Sequence, residues 1–426
     1  MDLKGKRVTV VGLGNSGFNA AVLLKGIGAR VRATDARDTP DVRKNTRILK
    51  NKDIKVETGG HTEAFLKGSR LIVLSPGVEN ASPAVKWAEK YGIPIIGEME
   101  LGYRFCKGRI IAITGTNGKS TVTALSGEIL KDGGKDAVVC GNIGNSLCGE
   151  IGRIKKDTWV VLEVSSFQLE RIEKFRPQIA AILNITDDHM DRYNKFTEYF
   201  NEKLKVFRNQ TADDILILNG DAENLRALKE KAKSKVLFFS RSKFPDKINN
   251  MKLKGTHNVE NILAASLVGS LAGVSESSIG QTIKNFRPLP HRFETVVAID
   301  GVLYIDDSKG TTVDSTYRAL ESCDKPVILI AGGKDKNSDY GFVKEIVRKK
   351  VKHLVLIGEA AAKIKKALGG VVETHEVGGM DEAVETARRL AKKGFIVLLS
   401  PMCSSFDMFK DYKERGGVFK RAVRRL

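Results

Sequence analysis

Runs of Val, Ile and Leu alternate with amphipathic helical stretches from one end of the chain to the other, which restricts the fold to parallel sheets covered by helices. The runs fall into three blocks. The first extends from KRVTVVG at 6–12 through ARVRATD and SRLIVLSPG to IPIIGE at 93–98. The second opens with RIIAITGTNGKST at 109–121 and continues through TWVVLEVS, QIAAILNIT, DDILILNGD and KVLFFS to an apolar helix pattern after Asn258. The third holds VLYIDDSKGTT, KPVILIAGG, VKHLVLIG and GFIVLLSP. At 426 residues the chain exceeds what a single core serves, so three successive α/β domains are expected, over 1–97, 98–288 and 289–426. The stretch from Phe286 to Glu294 carries two prolines and no periodicity, which suits a linker that acts as a hinge.

Composition narrows the class. With 42% hydrophobic residues and only 10 prolines, disorder is excluded. The N-terminus runs straight into a strand pattern without a signal-like apolar region, and the longest apolar runs fall short of a membrane span. A cytoplasmic protein without membrane insertion is therefore expected, and a monomer. The five cysteines are scattered and lack any CxxC, which argues against a disulfide framework and a zinc site. The net charge of +20 favours anionic partners. Lys and Arg are nevertheless dispersed among many acids and never interleaved with aromatics, so no nucleic-acid partner is expected and the excess reads as solvated surface.

The strongest local signal is GTNGKST, Gly115 to Thr121, between the buried strand IIAIT and a helical run. In that setting backbone N–H groups of Gly115, Thr116, Asn117 and Gly118 and a helix N-terminus converge on one anion. ATP phosphates are the expected ligand, with Lys119 on the β and γ phosphates and the Ser120 or Thr121 hydroxyl on Mg²⁺. The glycine that a strict Walker pattern places five residues before Gly118 is Ile113, so the loop is a shortened variant and the middle block P-loop ATPase-like. A second glycine motif, GLGNSG at 12–17, follows a strand, precedes a helix and has Asp35 at the end of the next strand. It makes the first block Rossmann-like, and by itself suits a dinucleotide and a UDP-sugar equally. The alternation in the third block is Rossmann-like as well. The second phosphate loop favours the UDP-sugar, because a nicotinamide enzyme has no need of ATP.

In order along the chain stand GLGNSG, LSPGV at 74–78, GTNGKST, GNIG at 141–144, EVSSFQLE at 163–170, NITDDHMDRY at 184–193, GTHNVEN at 255–261, HRFE at 291–294, DDSKGTT at 306–312 and SPMCSSFDMFKDYKERG at 400–416. This series resembles the Mur ligases over essentially the whole chain, and more distantly their relative folylpolyglutamate synthase. HRFE and SSFDMFKDYKERG favour the glutamate-adding branch over sister ligases that add L-alanine, a diamino acid or a dipeptide. The resemblance implies an ATP-dependent amide ligase of peptidoglycan precursor synthesis. Such an enzyme joins D-glutamate to UDP-N-acetylmuramoyl-L-alanine through an acyl phosphate and forms ADP and phosphate.

It also implies roles for particular residues. Asn15, Ser16, Asp35, Ala36, Arg37, Gly77 and Asn142 would face the UDP-sugar. Glu163, at a strand end, would supply a carboxylate to the first of two Mg²⁺ sites. His189, flanked by Asp187, Asp188 and Asp191, would serve the second. Lys203 matches a lysine that CO₂ carbamylates into a metal-binding anion, with Lys205 as a weaker rival. Asn261, Arg292, Asp307 and Lys309 would complete the ATP site, Arg292 acting on the transferring phosphoryl group. Thr311, Lys336, Ser405, Phe406 and Tyr412 would form the amino-acid pocket, with Lys334 as the alternative to Lys336.

Overall fold

The computed structural model describes residues 1–190, 192–243, 256–287 and 289–426. Asp191, Gly255 of GTHNVEN and Pro288 of the expected hinge lie outside the described residues. The chain forms three sheets. The first comprises β1 (Arg7–Val11), β2 (Arg30–Asp35), β3 (Lys55–Thr58), β4 (Leu71–Leu74) and β5 (Ile95–Gly97), all parallel in the order β3-β2-β1-β4-β5. The second holds β6 (Arg109–Thr114), β7 (Ala137–Gly141), β8 (Trp159–Glu163), β9 (Ile179–Ile182), β10 (Ile215–Asn219) and β11 (Lys235–Phe239), parallel in the order β11-β10-β9-β6-β8-β7. The third holds β12 (Glu294–Ile299), β13 (Val302–Asp306), β14 (Val327–Gly332), β15 (Val351–Ile357), β16 (Glu373–Glu376) and β17 (Ile396–Leu399), ordered β12-β13-β17-β14-β15-β16.

Central strands such as β6 and β14 are buried at almost every position because helices cover both faces, which is why they read as unbroken apolar runs. Among the described strands only β12 departs from the parallel pattern. It forms a hairpin with β13 through Asp300 and Gly301, whose φ angles of 51° and 76° are those of a tight hairpin turn. The third sheet is therefore mixed.

Functional loops gather where parallel strands end. In the second sheet the chain leaves β6 to build neighbours on both of its sides, β8 on one and β9 on the other, so a crevice opens beyond the carboxyl ends of these strands. Into it run the loop after Thr114, Glu163 at the end of β8, and the segment from Leu183 to His189 after β9. The third sheet brings the corresponding ends of β13, β14 and β17 to the same place. The helix Glu98–Phe105 joins the first sheet to the second: Glu98 Oε1 accepts from Cys148 N at 2.8 Å, and Glu100 accepts from the backbone N–H groups of Glu173, Lys174 and Phe175. No helix among the described residues is long and apolar enough to cross a membrane.

Backbone approach in the GLGNSG turn leaves no room for a side chain at Gly17, where an added Cβ would lie 1.7 Å from the Gly12 carbonyl oxygen. At Gly14 nothing lies within 4 Å. Gly17→Ala is expected to destabilise the first domain by about 2–3 kcal/mol, measured as a fall in the chemical-denaturation midpoint, while Gly14→Ala leaves that midpoint nearly unchanged.

Candidate active site

The loop from Gly115 to Gly118 turns at two glycines with φ of 151° and 83°, and the helix Lys119–Asp132 starts directly after it. Neighbouring strands hold its shape. Asn184 accepts from Asn117 N at 2.8 Å and donates back to the Asn117 carbonyl at 3.1 Å, while the Thr116 hydroxyl donates to the Thr186 carbonyl. A Cβ at Gly118 would meet Asn261 Oδ1 at 2.3 Å, so the glycine lets the Asn261 helix approach the loop. Lys119 Nζ donates to the carbonyls of Gly115 and Thr116, and burial pushes its ammonium down.

A cavity of about 410 Å³ opens on one side of this loop. Glu163 is buried in it. One of its oxygens accepts from Asn142 Nδ2 at 2.8 Å, and the other has no hydrogen-bond partner among the described residues. Burial raises this carboxyl, yet Lys309 and Lys119 hold it below its ordinary value. Asp188 faces the same space, 3.0 Å from Lys336 Nζ. His189, with φ of 59°, turns back so that Nε2 lies 3.3 Å from Asp188 Oδ2. Burial pushes its imidazole down to about 4, which outweighs the attraction of Asp188. Asp187 flanks this pair in sequence. Lys203 is 2% exposed, donates to the Gly115 carbonyl at 2.9 Å and lies over the Tyr199 ring. Burial, with Lys119 nearby, pushes its ammonium well below the ordinary lysine value. Lys205 points elsewhere, to Glu202 at 2.6 Å.

The third domain closes the cavity. Lys309 Nζ donates to Ser120 Oγ at 3.0 Å and to the Tyr412 hydroxyl at 3.3 Å, and burial and Arg292 push it down to about 7. Arg292 reaches in from the HRFE segment, and its buried Nε has no hydrogen-bond partner among the described residues. Thr311, Lys336, Ser405, Phe406 and Tyr412 line the far wall. Lys336 carries the ammonium into this space. Lys334 instead makes a backbone bridge to Ser404.

A second cavity, of about 350 Å³, lies on the other side of the phosphate loop and shares Arg292 and Lys309 with the first. Asn117, Gly118, Thr121, Asn261 and Asp307 line it, so Ser120 and Thr121 face different spaces. Burial pushes the Asp307 carboxyl up to about 7, although Oδ2 accepts from Ser400 and Oδ1 from Phe293 N.

Several contributors carry no sequence motif. Asp314 and Ser315, at the start of the helix Val313–Glu321, clasp the Asn117 side chain at 2.6 and 2.7 Å across the domain boundary. Asn219 and Asn224 complete the second cavity. Arg415, fully buried, donates to the carbonyls of Ser308, Cys403 and Ser404 and to the Ser308 hydroxyl, tying the loop that bears Lys309 to the loop that bears Ser405. Only the RG ending of the last motif hinted at it.

The residues expected to face a UDP-sugar lie, apart from Asn142, on the first sheet. Asp35 accepts from Leu13 N, from Arg37 N and from the Arg37 guanidinium through Nε and Nη2. Four donors fill the four lone-pair positions of that carboxylate. Asn15 and Ser16 open the helix Asn15–Gly26, Ala36 lies between Asp35 and Arg37, and Gly77 follows β4. Asn142 stands apart from them, in the first cavity beside Glu163.

Fold and site together define a phosphate-loop enzyme of three α/β domains whose anion site is completed by the cations of the third. Family models match in three places: the Mur ligase MurD-like N-terminal domain at residues 6–97, the Mur ligase middle domain at 113–250, and the Mur ligase glutamate ligase domain at 291–403. The chain belongs to the Mur ligase family. It is 45% identical to the UDP-N-acetylmuramoylalanine–D-glutamate ligase of Koribacter versatilis, over 100% of this chain and 99% of that one. It is 41% identical to the protein of the same name from Caldanaerobacter subterraneus, over 99% of each. Among solved structures it is similar to the UDP-N-acetylmuramate-alanine ligase MurC of Thermotoga maritima, with a TM-score of 0.64, 19% identity and 99% of each chain covered. It is also similar to MurF ligase of the same organism in complex with ADP, with a TM-score of 0.63, 14% identity, and 100% of this chain and 96% of that one covered.

Asp307 gives the site a pH signature. Its carboxyl titrates near 7 in the folded chain against 3.8 ordinarily, so between these values the native state holds a proton that the unfolded state has lost. Its contribution to stability is present below about pH 4, is lost as pH rises to about 7 and stays level above. Asp307→Asn is expected to flatten that part of the profile, and the difference in unfolding midpoint between variant and wild type, measured without nucleotide, should grow from pH 4 to pH 7.

Proposed function

We propose that the chain is a cytoplasmic, ATP-dependent amide ligase that joins D-glutamate to UDP-N-acetylmuramoyl-L-alanine in peptidoglycan precursor synthesis. One observation carries the reading: a full-length relative of ligases with that name has a cation-lined cavity that runs from its phosphate loop to its third domain. The division of labour follows the three segments. Residues 1–97 take the UDP moiety on Asn15, Ser16, Asp35, Ala36, Arg37 and Gly77. Residues 98–288 hold ATP, and 289–426 bring the amino acid.

ATP places its phosphates on the Gly115–Gly118 amides and its nucleoside in the second cavity, beside Asn261. The L-alanyl carboxylate attacks the γ-phosphorus, the bond to ADP breaks, and an acyl phosphate forms. The amine of D-glutamate then attacks the acyl carbon, releases its proton, and phosphate leaves with an amide remaining. Lys119, Lys309 and Arg292 neutralise the phosphoryl oxygens, the dominant contribution where little covalent help is needed. Lys336 pairs with a glutamate carboxylate while Thr311, Ser405 and the Phe406 backbone orient the molecule, and Tyr412 fixes Lys309 at the pocket wall.

The donor set fits Mg²⁺. Glu163 offers a buried carboxylate oxygen without a partner, Ser120 Oγ is adjacent, Thr121 holds the nucleotide side, and His189 is an unprotonated imidazole at neutral pH. Two Mg²⁺ ions held there supply further neutralisation of phosphate charge. Lys203 fits carbamylation because its amine is buried and biased towards the neutral form that attacks CO₂. The new N–C bond forms with loss of one proton, and the resulting anion offsets Lys119.

Phosphate release from ATP, with Mg²⁺, bicarbonate, the UDP-sugar and a panel of amino acids, tests the proposal. Release is expected only with both UDP-N-acetylmuramoyl-L-alanine and D-glutamate, and Lys119→Ala should reduce it by about 10²–10³-fold or more. Lys203→Ala should show a comparable loss, partly restored by acetate at high concentration. Preference for another amino acid would overturn the substrate assignment, and no release with any would overturn the ligase reading.

A further inference from the structure

Two of the chain's six histidines lie far from this chemistry, on the outer edge of the third sheet. β16 is a four-residue edge strand that pairs in parallel with β15, His353 opposite Glu373 and Val355 opposite His375. Glu373 and His375 are two residues apart, so both side chains leave the face that His353 leaves. Their donor atoms converge. His353 Nδ1 lies 3.4 Å from His375 Nε2 and 3.2 Å from Glu373 Oε2, and His375 Nε2 lies 3.6 Å from Glu373 Oε1. A tetrahedral ion with bonds near 2.0–2.1 Å separates its ligands by about 3.3–3.4 Å, which is the spacing found.

We propose that His353, Glu373 and His375 form a binding site for a divalent transition metal of the zinc class, which clips the edge strand to the sheet. Two imidazoles and one carboxylate select such borderline ions over Mg²⁺, whose preference is for oxygen. The imidazoles are about a fifth to a quarter exposed and the carboxylate is 65% exposed, so the ligands are anchored on the sheet and a fourth position opens to water. The other group of converging donors, His291, Glu294 and Asp306, already contains the Lys420 ammonium, 2.5 Å from Glu294 and 3.7 Å from Asp306, which displaces any cation. Among the described residues the ion pairs of Glu373 are with His353 and His375, not with a lysine. The edge site also sits near the amino ends of β15 and β16, whereas Asp307, Lys336 and Ser405 follow the carboxyl ends of their strands, so a metal there acts on the fold and not on the reaction.

The test uses the full chain, stripped with a chelator and held in excess Mg²⁺. Zn²⁺ binding by calorimetry and the thermal midpoint are compared for the wild type, His375→Ala and Glu373→Gln. Wild type is expected to bind one Zn²⁺ equivalent more than His375→Ala and to gain several degrees with Zn²⁺, a gain absent in both variants. Loss of a ligand should weaken the site by at least the tenfold or so that follows loss of a supporting group. The isosteric Glu373→Gln keeps the test open if the alanine variant folds poorly. Equal stoichiometry and affinity in all three proteins, or no Zn²⁺ uptake by the wild type, would overturn the proposal.

Discussion

Lys119, Lys203, Lys309, Lys336 and Arg292 share one cavity with three carboxylates, Glu163, Asp188 and Asp411, and the rest of the site depends on that imbalance. Two like charges about 4 Å apart repel by about 4 kcal/mol at the effective dielectric of a protein surface, and more where water is scarce. Burial pushes the ammonium groups of Lys119, Lys203 and Lys309 and the Arg292 guanidinium down from their ordinary values, and for the three lysines neighbouring cations add to it. A polyanion relieves both burdens on entering. The same groups that destabilise one another therefore form a preorganised receptor for phosphate.

Such a crowd persists only if the scaffold over-determines it. Three of the cations are tethered by neutral groups that do not quench their charge, Lys119 and Lys203 by loop carbonyls and Lys309 by two hydroxyls, while Lys336 pairs with Asp188. Arg415 works the same way one layer out. It binds only carbonyls and a hydroxyl, and burial pushes it down to about 10. By spanning the ends of β13 and β17 it makes the Lys309 loop and the Ser405 loop move as one body. The clasp of Asn117 by Asp314 and Ser315 then ties those loops to the phosphate loop, so the third domain and the anion site share one set of contacts.

Much of this was legible in the sequence because it rests on local rules. Period and punctuation mark the strands, and GTNGKST declares its strand, turn and helix in seven residues. The mixed third sheet was less visible, since β12 reads like any half-exposed strand and only Asp300-Gly301 announces a hairpin. Choices between neighbouring lysines could not be made from spacing. The structure turns Lys203 inward and Lys205 towards Glu202, and it sets Lys336 against Asp188, because helix phase and loop path decide orientation and neither is written in a motif. Asp314 and Asn219 were invisible, and the role of Arg415 hidden within its motif, for a different reason. Asn117, Glu260 and Ser308, which they bind across the fold, lie 197, 41 and 107 residues away, and no local pattern encodes such a contact. For GLGNSG taken alone the sequence left dinucleotide and UDP-sugar equally open, and it was the second phosphate loop that favoured the UDP-sugar.

The central claim is that a cation from the third domain completes the phosphate-loop site, and Lys309→Met tests it most directly. ATP affinity by equilibrium binding and D-glutamate-dependent phosphate release by steady-state kinetics would be measured on the same protein. Because Lys309 reaches Ser120 from the third domain while the loop amides that hold the phosphates belong to the second, the account predicts nearly unchanged ATP affinity with a fall of about 10²–10³-fold in kcat. An unchanged kcat, or a loss confined to ATP binding, would contradict it.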